Sequence, residues 1–124
     1  MPVPILKQGD YLVVAIQDEL TDSDWHALRE ELLGRANRFR SRGVVIDVST
    51  MEVMDSFASR MLDGIARMLR FRGAETVVAG IQPDVAFAMA RLGLHLPNTG
   101  TALDLDDGLA ELRRRTRLDV THGH

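Results

Sequence analysis

The 124 residues suffice for one domain with its own core and are too few for two. A composition of 45% hydrophobic and 27% charged residues is globular, and a formal charge of −3 argues against a nucleic-acid binder held by bulk charge. The lack of cysteine excludes disulfides, thiol nucleophiles and thiolate-bound zinc, and it fits a reducing compartment. No apolar run reaches the roughly 18 residues of a membrane span, and the start shows no basic-then-apolar signal pattern. A cytoplasmic protein with no membrane contact is therefore expected.

The chain opens with Val3-Pro4-Ile5-Leu6-Lys7, a turn at Gln8-Gly9-Asp10, and Tyr11 to Ile16, which reads as a β-hairpin. Thr21-Asp22-Ser23-Asp24 then supplies helix-capping and first-turn acidic residues. Trp25, Leu28, Leu32, Ala36 and Phe39 follow at spacings of three and four, the stripe of an amphipathic helix that Gly43 is expected to stop. Val44 to Val48 is a β-branched run suited to a strand buried on both faces. A second helix is predicted from Asp55-Ser56, with Phe57, Met61, Leu62, Ile65, Met68 and Leu69 inward and Gly73 at its end. Thr76 to Gly80 reads as another buried strand. Pro83 suits the first turn of a third helix, whose stripe is Val85, Met89 and Leu92. A short strand at Thr101-Ala102-Leu103 precedes a final helix starting at Asp104 or at Asp106-Asp107, with Leu105, Leu109 and Leu112 inward. Residues 3–116 are expected to form the ordered core of a single domain spanning 1–124, and Arg117 to His124 a flexible tail.

Strands alternating with helices require crossovers and hence a mostly parallel sheet. The expected fold is α/β, a mixed sheet opened by a hairpin and covered by about four helices.

Several chemistries lack their motifs. No Gly-rich phosphate loop follows the first strands, no histidine pair has metal-ligand spacing, and Ser56 has no nucleophile elbow around it. No cofactor, metal or catalytic residue is expected, and the chain reads as a non-enzyme. Fourteen of its fifteen basic residues are Arg, with Lys7 the exception. Guanidinium groups suit carboxylates and phosphates, but with no motif around them these are expected on solvated helix faces.

The segment Met54-Asp55-Ser56-Phe57-Ala58 stands apart. It joins a buried strand to a helix start, and loops at the carboxyl ends of parallel strands are where ligands and partners dock. A phosphoryl group on Ser56 would add about −1.5 to −2 charges there, and the helix dipole would tolerate them. Asp55 or Ser56 serving simply as the N-cap is the structural alternative.

Ile46-Asp47-Val48 followed by Met54-Asp55-Ser56 resembles the STAS domain of bacterial anti-sigma factor antagonists, more closely the stressosome scaffolds of the RsbS type. Pro4 to Lys7, Val44 to Asp47 with Asp55 to Phe57, Gly80 to Pro83 and Thr101 to Leu105 carry the resemblance in order, from Val3 to Arg114. Simpler antagonists read Asp-Ser-Ser/Thr-Gly; Phe57 and Ala58 depart from that and match the scaffold type. The resemblance implies that Ser56 is the phosphoacceptor and that Asp55, Ser56 and Phe57 form a partner-binding surface. It implies a large assembly with RsbR-type co-antagonists that sequesters an RsbT-type serine kinase, releases it on phosphorylation and is reset by an RsbX-type phosphatase. A free-standing anti-anti-sigma factor that binds an anti-sigma kinase is the nearer alternative, and a small nucleotide-binding α/β domain the more distant one.

Overall fold

The structure is a computed structural model and describes residues 3–17 and 19–122, with side chains as far as Arg117. In chain order the elements are β1 (Ile5–Gln8), β2 (Tyr11–Ala15), α1 (Asp22–Phe39), β3 (Gly43–Asp47), α2 (Ser56–Phe71), β4 (Glu75–Ala79), α3 (Pro83–Arg91), β5 (Gly100–Ala102) and α4 (Leu105–His122). The five strands lie side by side in chain order; β1 is antiparallel to β2 and every later pair is parallel. This is the mixed, hairpin-opened α/β sheet expected from the sequence.

Alternation along the strands divides the core in two, because successive side chains leave a strand on opposite faces. Leu12, Val14, Val44, Ile46 and Val78 pack with Trp25, Leu28 and Leu32 of α1, with Leu62, Ile65 and Leu69 of α2, and with Val85 and Met89 of α3. Val13, Val45, Val77 and Ala79 meet Leu109 and Leu112 of α4 on the other face. Burying one such Leu or Val contributes about 1.5–3 kcal/mol, so both faces must be covered.

Three stripe residues expected inward are exposed: Phe39 (41%), Met68 (43%) and Leu92 (71%). Each sits in the last turn or cap of its helix, where periodicity no longer guarantees a layer beneath. Gly43 does not end α1. Arg40 does so in the left-handed conformation at φ 50°, and Gly43 is the first residue of β3. A Cβ on Gly43 would lie 2.7 Å from Leu112 Cδ2, so its bareness lets α4 approach the sheet. Gly100 replaces Leu103 in the last strand, and Leu103 is exposed. Asp104 caps α4, its Oδ1 accepting the Asp107 amide at 2.9 Å. The helix runs through His122, past the point where the flexible tail is expected to begin. The side chains of residues 118–122, and residues 123 and 124 altogether, lie outside the described residues.

Not every Arg is a solvated surface group. Arg35 donates to the Ile5 carbonyl and Arg42 to the Thr116 carbonyl, both at 2.8 Å. Thr21 and Asp24 form a reciprocal capping box on α1. The Thr21 amide, and then its hydroxyl, hold the Asp24 carboxyl below its ordinary value. Stability from this box is therefore present above the carboxyl's unfolded value and is lost as pH falls through the lower folded one. Asp24→Asn is expected to flatten that acid-side loss, read as thermal midpoints between about pH 3 and pH 7.

Candidate functional site

The candidate site lies at the carboxyl end of the parallel strands, where the connection from β3 reaches α2. Backbone bonds carry this connection beyond the sheet: the Ile16 amide donates to Asp47 O at 3.0 Å and the Val48 amide to Ala79 O at 2.9 Å. The Ser49 amide then donates to Asp47 Oδ1 at 2.9 Å, turning the chain. Thr50 Oγ1 reaches Ile16 O and Gln17 O, at 3.0 and 3.1 Å, and Gln82 Nε2 donates to Ser49 O at 2.8 Å. Met51 and Met54 are buried and anchor the segment in the core. Gly80, at φ +82°, passes so close that a Cβ there would sit 2.8 Å from Ser49 Cβ. Bonds to the ends of three strands thus hold the helix start in place.

Asp55 is the N-cap of α2. Its Oδ1 accepts the Ala58 amide at 2.8 Å, and its carbonyl accepts both the amide and the hydroxyl of Ser59, at 3.0 and 2.9 Å. Ser56 is therefore the first helical residue and takes no part in capping. It is exposed, and among the described residues its hydroxyl makes no hydrogen bond. Asp55 Oδ1 serves the cap. The result is an accessible primary alcohol at a fixed helix N-terminus, whose first amides have no intrahelical partner. Asp55→Ala should leave the Ala58 amide unpaired and destabilise the domain by about 1 kcal/mol, measured as a lower midpoint in urea with an unchanged slope.

Asp55, Ser56 and Phe57, expected to form one partner-binding surface, border two different hollows. Asp55 and half-buried Phe57 line a cleft of about 130 Å³ with Glu19, Asp22 and Val53. Phe57 packs against the core and meets His26 of α1 edge-on, ring centroids 6.4 Å apart. Ser56 opens instead onto a groove of about 340 Å³, shared with Arg60, Arg67 and His95. Sequence reasoning missed these three. The spacing of Ser56, Arg60 and Arg67 on one helix was available, but nothing local pointed to His95. Among the described residues no three metal-ligating side chains converge, and no helix is long and apolar enough to cross a membrane.

The model of the STAS domain matches residues 3–107. The chain is similar to Moorella thermoacetica RsbS, solved as a glutamate-for-serine variant, with 42% identity, 93% of this chain and 97% of that one covered, and a TM-score of 0.80. A chain from a structure described as the molecular architecture of the stressosome, a signal integration and transduction hub, gives 42% identity, coverage of 92% and 99%, and a TM-score of 0.78. The RsbT co-antagonist protein RsbRA of Bacillus subtilis is 29% identical over 94 residues, 76% of this chain and 32% of that protein. The chain thus spans about a third of the length of that curated relative, and 40% of the related RsbRD. With the hairpin-opened sheet, the capped Asp55-Ser56 helix start and these matches together, the chain belongs to the STAS-domain family, in which it is similar to the RsbS proteins of stressosomes.

Proposed function

We propose that this chain is a non-enzymatic scaffold of a stressosome-type assembly, one that holds a switch serine kinase and lets it go when Ser56 is phosphorylated. The observation that carries the reading is the exposed, unbonded Ser56 hydroxyl beside a cap supplied by Asp55. Identity of 42% to RsbS over nearly the whole of both chains supports it. In the transfer, the Ser56 Oγ–P bond forms as the anhydride bond between the γ-phosphoryl group and ADP breaks, and the hydroxyl proton leaves. The product carries about −1.5 to −2 charges on a side chain that makes no hydrogen bond among the described residues, so the surface changes while the domain stays folded. RsbR-type co-antagonists are the companions in the assembly, an RsbT-type kinase is the client, and an RsbX-type phosphatase restores the hydroxyl. The similarity to RsbRA and RsbRD supports the first of these. The setting is cytoplasmic.

The test is incubation of the purified protein with its switch kinase and ATP, followed by intact mass and peptide mapping. One phosphate on Ser56, absent in Ser56→Ala, is expected. A phosphate that maps elsewhere while the kinase is active would reduce Ser56 to a first-turn residue of α2. A free-standing antagonist that binds one kinase molecule is the second reading. Solution mass separates the two, because a scaffold joins a particle far larger than a one-to-one complex.

A further inference from the structure

Residues 56, 60, 63 and 67 follow one another at spacings of four, three and four, so they share one face of α2. The residues there are Ser, Arg, Asp and Arg. Opposite this face runs the connection from α3 to β5, and the groove of about 340 Å³ between them includes Ser56, Arg60, Arg67 and His95 in its walls. The far wall is pinned. The backbone and side-chain amides of Asn98 donate to the two oxygens of Asp63, each at 2.9 Å. Arg70 in turn donates to Asn98 Oδ1 and to its carbonyl, at 3.1 and 3.2 Å.

These bonds have an electrostatic consequence. Asp63 is the carboxylate lining the groove, and Asn98 occupies both its oxygens. Arg60 and Arg67 make no ion pair and no hydrogen bond among the described residues. His95 Nδ1 lies 3.2 Å from the Gly93 carbonyl; with that nitrogen as donor, Nε2 stays available. The Ser56 hydroxyl therefore borders a preformed groove holding two unengaged guanidiniums and an imidazole. The cleft on the other side of the same helix start carries Glu19, Asp22 and Asp55.

We infer that this groove is a seat for a phosphoryl group in cis: a phosphate on Ser56 turns into it and is held by Arg60, with His95 opposite and Arg67 farther along. The inference rests on Ser56 being the phosphoacceptor and adds where its phosphate goes. An acidic group followed four residues later by a basic one is the favourable order on a helix. Arg offers phosphate two parallel donors. The charged and titratable groups facing the phosphate are Arg60, Asp63 and Arg67 of α2 and His95 of the connection, with Asp55 adjacent in the chain. Modification then acts by occupation: a partner that sets a carboxylate on Arg60 in the unmodified protein finds the seat filled, while the acidic cleft is unchanged.

The test places phosphoserine at position 56 during translation, independently of any kinase, and follows its phosphate by phosphorus NMR across pH. The midpoint of its second ionisation is expected about 0.5 pH unit lower than in the Arg60→Gln protein, which is about threefold easier proton loss. Arg60→Lys should recover part of the difference, since an ammonium keeps the charge and loses the fork. Arg113→Gln, exposed on α4 and outside the groove, should leave the midpoint unmoved. Equal midpoints in the unmutated background, Arg60→Gln and His95→Gln would overturn the seat and put the phosphate in open solvent. Failure of a kinase to modify Ser56 would instead overturn the proposed function without altering this titration, so the two failures are distinguishable.

Discussion

Glutamate at position 56 is expected to weaken the complex with the switch kinase by about 10- to 100-fold, whereas alanine should preserve the complex and abolish its release by ATP. The magnitude follows from a carboxylate at position 56 taking Arg60 from a partner group that would otherwise pair with it, since losing one member of such a charge pair in a contact costs about 2 kcal/mol or more. Stability should hardly move in either variant, because the Ser56 hydroxyl bonds nothing among the described residues and the cap belongs to Asp55. Acidic residues in the first helical turn are, if anything, favourable to the helix. This separates the result from misfolding: affinity by calorimetry or interferometry changes, and the thermal midpoint stays put. Equal dissociation constants for the wild type, the alanine variant and the glutamate variant would remove Ser56 from the release step. The same measurement on Asp55→Ala is informative by contrast, since loss of the cap lowers stability without adding charge.

Gly80→Ala should be among the most damaging single-methyl changes in the protein, destabilising it by about 3 kcal/mol. Two independent costs add. At φ +82° a side chain is strained by about 1–2 kcal/mol, and the new Cβ would stand 2.8 Å from Ser49 Cβ and 3.3 Å from Ser49 N, within a backbone that cannot turn aside. Ser49 is itself held by Asp47 Oδ1 and by Gln82, so yielding would break bonds that position the helix start. Gly73→Ala isolates the first cost, because Gly73 has a similar φ of +81° and nothing within 4 Å of its would-be Cβ. Urea unfolding of the two variants is the measurement. A Gly80→Ala loss no greater than that of Gly73→Ala would mean that the contact with Ser49 relaxes freely and does not constrain the site.

The order of elements was legible because the signals behind it are local. Val44 to Val48 could hardly be anything but a buried strand, and Leu62, Ile65 and Leu69 are spaced for one face of a helix. Helix ends were read less well where a side-chain pattern stood in for backbone geometry. Gly43 looked like a stop signal, yet Arg40 ends α1 and Gly43 makes room for Leu112, a residue 69 positions further along. Phe39, Met68 and Leu92 continued their stripes on paper and came out exposed, since periodicity says nothing about where the underlying sheet ends.

The sequence by itself determined that an Asp-Ser pair starts a helix just beyond a parallel strand. Tertiary structure alone decided which of the two residues caps the helix. Both have a capping oxygen, and Asp55 is the one with extended backbone, φ −83° and ψ −179°, whose Oδ1 meets the Ala58 amide. It also decided that Asp55 and Ser56, adjacent in the chain, open onto an acidic cleft and a basic groove. Successive residues leave a helix about 100° apart, and what each then faces comes from segments as remote as Glu19 and His95.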